Sequence, residues 1–250
     1  MSTTSAGSSR KSAELAQAQA APGCSRGAAR LCIGGLTPLT SIDFPGRLAA
    51  VLFCQGCPWR CGYCHNPGLL DAKVPGALPW TEVLAFLRRR RGLLDGVVFS
   101  GGEPTLQAAL PDALAQVRAL GFETALHTAG MYPGRLAALL PLLDWVGLDI
   151  KGPWRCIDAI TGTHRSAPRV QASLRHLLAS SVAYECRTTW HPGLFGIDEL
   201  HTLADELATL GVRRWALQEC RTPGGAPHAV AADHAQAFSA RFERFTLRRA

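Results

Sequence analysis

No stretch of this chain stays apolar for the roughly 18 residues that a bilayer-spanning helix needs, so no membrane segment is expected. Charge is sparse at 18% of residues, and acids are the scarcer sign, 19 Asp and Glu against 26 Lys and Arg. The resulting net charge of +7 excludes a strongly acidic protein and points to acidic partners, nucleic acid or an acidic electron-transfer protein. There is no secretory signature, and the nine cysteines are odd in number and follow no regular framework. A disulfide-stapled scaffold is thereby excluded, and a reducing cytoplasm with metal-bound and free thiols is expected. Met1–Arg30 lacks acids apart from Glu14 and lacks periodic apolar spacing. This Ala/Ser-rich stretch reads as a flexible tail ahead of a single domain over 31–250, with Cys24 and Cys32 as free thiols. Its acid-poor composition is also compatible with a transit peptide, although Ser-Ala extensions are common without any targeting role.

What is present is apolar: 47% of 250 residues, enough for one large α/β domain or two small ones. Strand–loop–helix units recur. Strands are expected over Arg47–Phe53, Gly96–Phe99, Phe122–Thr128, Trp145–Ile150, Ala183–Thr189 and Arg213–Gln218. Helices are expected over Thr81–Arg91, Pro111–Leu120, Arg135–Leu143, Val170–Ala179, Ile197–Leu210 and Ala231–Glu243. Such alternation predicts a parallel sheet with crossover helices, either an open doubly wound sheet or a barrel short of eight units. The polar residues favour the barrel. A cysteine-rich loop, Gly101–Glu103, Thr128, Asp149 with Lys151, Arg187 with Thr189, and Gln218 with Glu219 all fall at C-terminal strand ends. Those ends share one rim in a parallel barrel, and that rim carries the chemistry.

The loop reads Cys54-Gln-Gly-Cys57-Pro-Trp-Arg-Cys61-Gly-Tyr-Cys64-His65-Asn66. Cys57, Cys61 and Cys64 are close enough to turn onto one polynuclear centre. A 4Fe–4S cube takes four thiolates, so three would leave one iron open to a non-protein ligand. Two Cys-x-x-Cys pairs could instead form a zinc ribbon, but ribbons usually separate their pairs by a dozen or more residues. A ferredoxin-like carrier has a different spacing. Further along, the paired glycines of Ser100-Gly101-Gly102-Glu103-Pro104 let backbone approach a ligand closely. Glu103 could accept from a ligand ammonium. Asp149 and Lys151 are costly at the end of an apolar strand unless they pair or bind something. Tyr63 could anchor the loop or stack on a ligand ring. The run Arg88–Arg91 reads as a solvated last helical turn or as a docking patch for an acidic protein.

The cysteine spacing, with an aromatic residue before the third Cys, resembles the radical S-adenosylmethionine (SAM) signature. From Gly34 to about Arg221, Ser41-Ile-Asp-Phe-Pro-Gly46, Cys64-His-Asn-Pro67, Ser100–Pro104, Asp149-Ile-Lys151 and Glu185-Cys-Arg-Thr-Thr189 occur in order. Together they resemble glycyl-radical-enzyme activating proteins, most of all the anaerobic ribonucleoside-triphosphate reductase type. The resemblance implies a partial (β/α)6 barrel, one 4Fe–4S cluster held by Cys57, Cys61 and Cys64, and SAM. It implies SAM contacts by Tyr63, Asn66, Gly101, Gly102, Glu103, Thr128, Asp149, Lys151 and Arg187. It also implies a glycyl-radical enzyme as partner and a flavodoxin or ferredoxin as electron donor, with neither nucleic acid nor membrane. No second Cys-rich segment lies between Leu70 and Val97, so the ferredoxin-like insert of some relatives is absent. Two departures stand out. His127-Thr128-Ala129-Gly130 replaces the family's Asp-Thr-Asn-Gly, which puts a monovalent-cation site in doubt, and Cys54, read as outside the cluster, replaces a common Thr.

Overall fold

The computed structural model describes residues 27–220 and 229–249. Cys24, Arg221 and most of the expected tail lie outside them. Ala28–Arg30 forms a 3-10 turn whose Ala28 is fully buried, so packing begins within the stretch read as tail.

Among the described residues, eight strands form one sheet in chain order. They are β1 (Ile33–Thr40), β2 (Ala49–Cys54), β3 (Gly96–Gly101), β4 (Glu123–Thr128), β5 (Trp145–Asp149), β6 (Ala183–Trp190), β7 (Arg214–Glu219) and β8 (Arg244–Arg248). From β2 to β8 every pairing is parallel, while β1 runs antiparallel to β2. The six expected units are β2 to β7. Strands β1 and β8 extend them at either side and are not paired with each other, so the barrel stays open.

The helices are α1 (Trp80–Arg90), α2 (Leu110–Ala119), α3 (Pro133–Leu139), α4 (Ile157–Thr161), α5 (Ser166–Leu178), α6 (Ile197–Thr209) and α7 (Ala232–Ser239). Four of them bury the same i, i+3, i+4, i+7 stripe. It is Trp80, Val83, Leu84 and Leu87 in α1, and Leu110, Ala113, Leu114 and Val117 in α2. In α5 it is Val170, Ser173, Leu174 and Leu177, and in α6 Leu200, Leu203, Ala204 and Leu207. That spacing makes one apolar face, which packs on the outside of the sheet as the main core. Gly121 and Gly211, two residues beyond α2 and α6, take φ of +92° and +88°, the left-handed conformation that closes a helix.

A second, smaller core lies on the concave side. Ala49, Val51, Val98, Ala125 and Trp145 point inward from β2 to β5, and Phe44 packs among them. Phe44 belongs to the Ser41–Gly46 motif, which therefore stoppers the barrel at the N-terminal ends of its strands. Its ring centroid stands 6.1 Å from that of Trp145.

Helix direction corrects one expectation. Each crossover helix runs back against the strands, so α1 starts beside the cysteine loop and ends at the far end of the barrel. There Asp95 N–H bonds the Leu48 carbonyl just below β2, and Arg91 bridges Leu94. Arg88–Arg91 are thus separated from the cysteine loop by the length of β3, about 20 Å at 3.3 Å per residue.

Two elements close the domain beyond the last expected strand. Phe238 of α7 is fully buried, 5.4 Å from Trp215 in a T-shaped pair and 6.0 Å from Phe245 of β8. Truncating it removes the ring that joins α7, β7 and β8. Phe238→Ala is expected to cost about 3–5 kcal/mol, read as a fall in the urea midpoint. A loss below about 1 kcal/mol would show that α7 and β8 are only loosely attached.

Candidate active site

A cavity lies at the C-terminal ends of β2 to β7, walled by their side chains and roofed by the loop after β2. That loop has little regular structure, and borrowed bonds hold it. Gly56 and Cys57 N–H bond the carbonyls of Leu69 and Leu70, Arg60 N–H bonds Thr161 O, and Glu103 N–H bonds Gly56 O. The Arg60 guanidinium reaches back to the carbonyls of Cys57 and Trp59. Trp59 is buried, and the Tyr63 hydroxyl donates to Lys151 O at 3.2 Å. Tyr63 is thereby pinned to the segment just beyond β5 and lines the cavity.

Cys57, Cys61 and Cys64 border this cavity. All three are free thiols and only half-buried. Burial raises the Cys57 thiol to about 11, and it raises Cys61 as well, there opposed by the Lys151 ammonium. Among the described residues, no three His, Cys, Asp or Glu side chains converge on one point as a single ion requires. Thiols spread around one cavity suit the separate corners of a cube. Cys54 is fully buried on the helix side of β2 and does not border the cavity.

Gly101 and Gly102 line the wall, yet the contact that requires glycine is with protein. Gly101 has φ +106°, and a Cβ there would stand 2.6 Å from Cys54 N. One on Gly102 would stand 2.3 Å from the Gly56 carbonyl oxygen. The pair lets β3 press directly on the base of the cysteine loop, so a side chain at Gly102 would dislodge that loop as well as narrow the cavity.

Glu103 sits differently from the expectation that it meets a ligand ammonium. It is 1% exposed and lies behind the cavity wall. Its carboxylate accepts from Thr105 N–H and hydroxyl, from the Thr128 hydroxyl at 2.7 Å and from Ala129 N–H at 2.9 Å. Burial raises its pKa while these donors pull it back. Its work here is to fasten the end of β4 to the loop after β3, which positions Thr128 at the wall.

Asp149, Lys151 and Arg187 form one triad in the cavity. Arg187 Nη2 lies 2.6 Å from Asp149 Oδ1, and Lys151 Nζ lies 3.0 Å from Oδ2. Burial opposes the Asp149 charge, but the two cations hold its carboxyl well below the usual range. Asp149 in turn more than offsets the burial that would lower Lys151, keeping it firmly protonated. Gly147 makes the geometry possible, since a Cβ there would meet the Arg187 guanidinium carbon at 2.8 Å. Both Asp149 oxygens are occupied by cations, so the groups turned to a ligand are the ammonium and the guanidinium. Asn66 lies exposed at the mouth, and Thr189 and Gln218 complete the far wall.

His127 forms the floor. Its Nε2 lies 2.8 Å from the Asp43 carbonyl, which only accepts, so Nε2 carries the proton and Nδ1 faces the Ser100 hydroxyl at 3.3 Å. Burial, then Arg187, lowers its pKa to about 3. The imidazole is neutral, buried and shared between the stopper and the cavity. Ser100, Trp59 and Leu70 also border the cavity without having been singled out from sequence. Only Ser100, beside the paired glycines at a strand end, carried a signal.

A neutral buried histidine links stability to pH with a definite sign. Its contribution is complete above the unfolded value near 6.5 and fades as pH falls toward about 3. The metal-free protein is expected to lose urea stability between pH 7 and 5, and His127→Gln should flatten that slope. An unchanged slope would mean that another group carries it.

The model of the Radical SAM superfamily matches residues 51–206, from β2 into α6. A pyruvate formate-lyase-activating enzyme of Streptococcus mutans is 32% identical over 199 residues, 74% of this chain and 75% of its own length. A protein of Methanocaldococcus jannaschii named as a glycyl-radical enzyme activating enzyme is 27% identical over 182 residues, 69% of this chain and 73% of its own. Among solved structures, a radical SAM methyltransferase from Sphaerobacter thermophilus superposes with a TM-score of 0.64 at 18% identity, covering 84% of this chain and 68% of that one, a likeness of fold. With its cysteine loop roofing a cavity at the rim of an open α/β barrel, the chain belongs to the radical SAM superfamily, alongside the activating enzymes of glycyl-radical enzymes.

Proposed function

We propose that this chain activates a glycyl-radical enzyme, and that its partner is an anaerobic ribonucleoside-triphosphate reductase. The observation that carries the reading is the shared cavity, where three thiols of one loop face the Gly101–Gly102 wall and the Lys151 and Arg187 cations. Superfamily membership implies a 4Fe–4S cluster and SAM, which when bound supply one-electron cleavage of the SAM sulfonium and hydrogen abstraction from a glycine. The residues fit that pair.

Cys57, Cys61 and Cys64 would hold the cluster as thiolates, and Cys57, whose proton burial favours, would give that proton up on binding. Lys151 and Arg187 offer two cations to a carboxylate, and Asp149 keeps both in place. The half-buried Gly101–Gly102 segment offers backbone carbonyls to an ammonium without side-chain interference, the Gly102 N–H being bonded to the Cys54 carbonyl. Tyr63, pinned through its hydroxyl, offers a ring face to a flat base, with Asn66 at the mouth. Thr128, fixed by Glu103, and Thr189 and Gln218 supply hydrogen bonds around a ribose or an incoming peptide. Orientation is the chain's main contribution, because a primary carbon radical removes hydrogen from whatever lies nearest. The reductase partner is supported by the ordered motifs Ser41–Gly46, Cys64–Pro67 and Glu185–Thr189 and by the single cysteine-rich segment between Cys54 and Val97.

Cys57→Ala, Cys61→Ala and Cys64→Ala should each lose iron and SAM cleavage, while Cys54→Ala should keep both. Loss of the cluster in folded Cys54→Ala would replace the open-iron site with a four-thiolate one. The function itself is tested by incubating protein, SAM, dithionite and a candidate reductase, reading the glycyl signal by electron paramagnetic resonance. Deuterium on the partner glycine α-carbon should appear in 5′-deoxyadenosine. Transfer from a pyruvate formate-lyase but no reductase would reassign the partner, and transfer only from a small metabolite would overturn the activase reading.

A further inference from the structure

The activase reading requires one electron from outside, and the basic run Arg88–Arg91 lies at the wrong end of the barrel to deliver it. A different set of charges stands beside the cysteine loop. Arg60 immediately precedes Cys61, is exposed, and is tied by its N–H to Thr161 O at 2.9 Å, at the end of α4. The next residue, Gly162, has φ +65° and turns the chain beneath Arg60, whose Cβ would lie 3.8 Å from a Cβ placed on it. Three residues on, Arg165 is the one non-glycine residue of positive φ among the described residues, at +58°. Its N–H and that of Ser166 bond the two oxygens of Asp158, which fixes the turn and starts α5 beside the loop. Arg169 follows one helical turn later, and both arginines are exposed. Among the described residues neither enters an ion pair, so their charge faces solvent.

We propose that Arg60, Arg165 and Arg169 form the landing surface for a small acidic one-electron carrier protein that reduces the cluster through the Cys61–Cys64 segment. This rests on the activase reading. The carboxylate of this turn, Asp158, has both oxygens taken up by the backbone N–H groups of Arg165 and Ser166 and pairs with neither exposed arginine. Between the two cysteines Gly62 is exposed and carries no side chain, so a docked surface can reach the loop backbone directly. A basic patch gathers an acidic partner by steering its encounter, and the effect weakens as salt screens exposed charges. Here the steering ends where the electron is needed.

Arg60 also braces the cysteine loop, so the informative variant leaves it intact. Arg165→Asn, which tolerates positive φ, is combined with Arg169→Glu, and Arg88→Glu/Arg89→Glu serves as the control at the opposite end. Reduction of the cluster is followed by stopped-flow bleaching of its visible absorbance with reduced flavodoxin and, separately, with dithionite. Affinity of oxidised flavodoxin for the cluster-free protein is measured by calorimetry. The rim variant should lower the flavodoxin rate constant and affinity about tenfold and flatten their salt dependence, with dithionite reduction and the thermal midpoint unchanged. The control should match the unsubstituted protein. The proposal fails if the rim variant is reduced at the full rate, if the control is the one that slows, or if flavodoxin neither binds nor reduces the unsubstituted protein. Absence of SAM cleavage with dithionite would count against the activase reading instead, because that reductant needs no docking surface.

Discussion

A loop with little regular secondary structure has to be held still across the mouth of an open barrel. Everything around the cavity answers to that constraint. The segment from Gln55 to Leu70 is fastened at its base by β3, at its return by Leu69 and Leu70, and at its far side by α4 and β5. Trp59 sinks into the core as its apolar anchor. These fastenings come from strand ends, a helix end and the loop's own return, so the thiols keep their places only when the rim is assembled. The paired glycines belong to the same logic, because β3 can press on the loop base only where no Cβ intervenes.

Charge at the rim is arranged in two ways. Inside, Asp149 is saturated by Arg187 and Lys151, and His127 is kept neutral, so the cavity presents cations in fixed positions. Removing one member of such a buried set leaves an uncompensated charge, which costs far more than the set itself contributes. Outside, beside the loop, arginines point into solvent with their charge unspent. The first arrangement suits a small ligand held rigidly. The second suits a protein that must arrive and leave.

Much of this was legible in the sequence. Strands β2, β3 and β5 are near-continuous apolar runs, as strands buried on both faces tend to be, and the polar ends of β2 to β7 located the rim. What escaped has physical reasons. Ile33–Thr40 carries two glycines and a proline, so it reads as a turn, yet an edge strand tolerates both. Strand β8 alternates Arg, Phe, Thr, Leu and Arg over only five residues behind a helix, and Ile157–Thr161 is too short to show a period. The role of Glu103 turns on which way one side chain points out of a loop, and no pattern encodes that. Arg88–Arg91 is the opposite case. An alternating β/α chain fixes the direction of every crossover helix, so their distance from the cysteines could have been read from the order of elements alone.

Because β1 and β8 share no ladder, the separation of the two sheet edges is not set by backbone bonds. A closed barrel has one circumference, whereas this sheet has a curvature that its contents determine. Phe44 and Trp145 act as the spacer at the base, and His127, bonded to the carbonyl of Asp43, ties that spacer to the chamber above. The Ser41–Gly46 segment therefore works as a clasp: it fills the base of the open barrel, and through one imidazole it is joined to the wall of the reaction chamber.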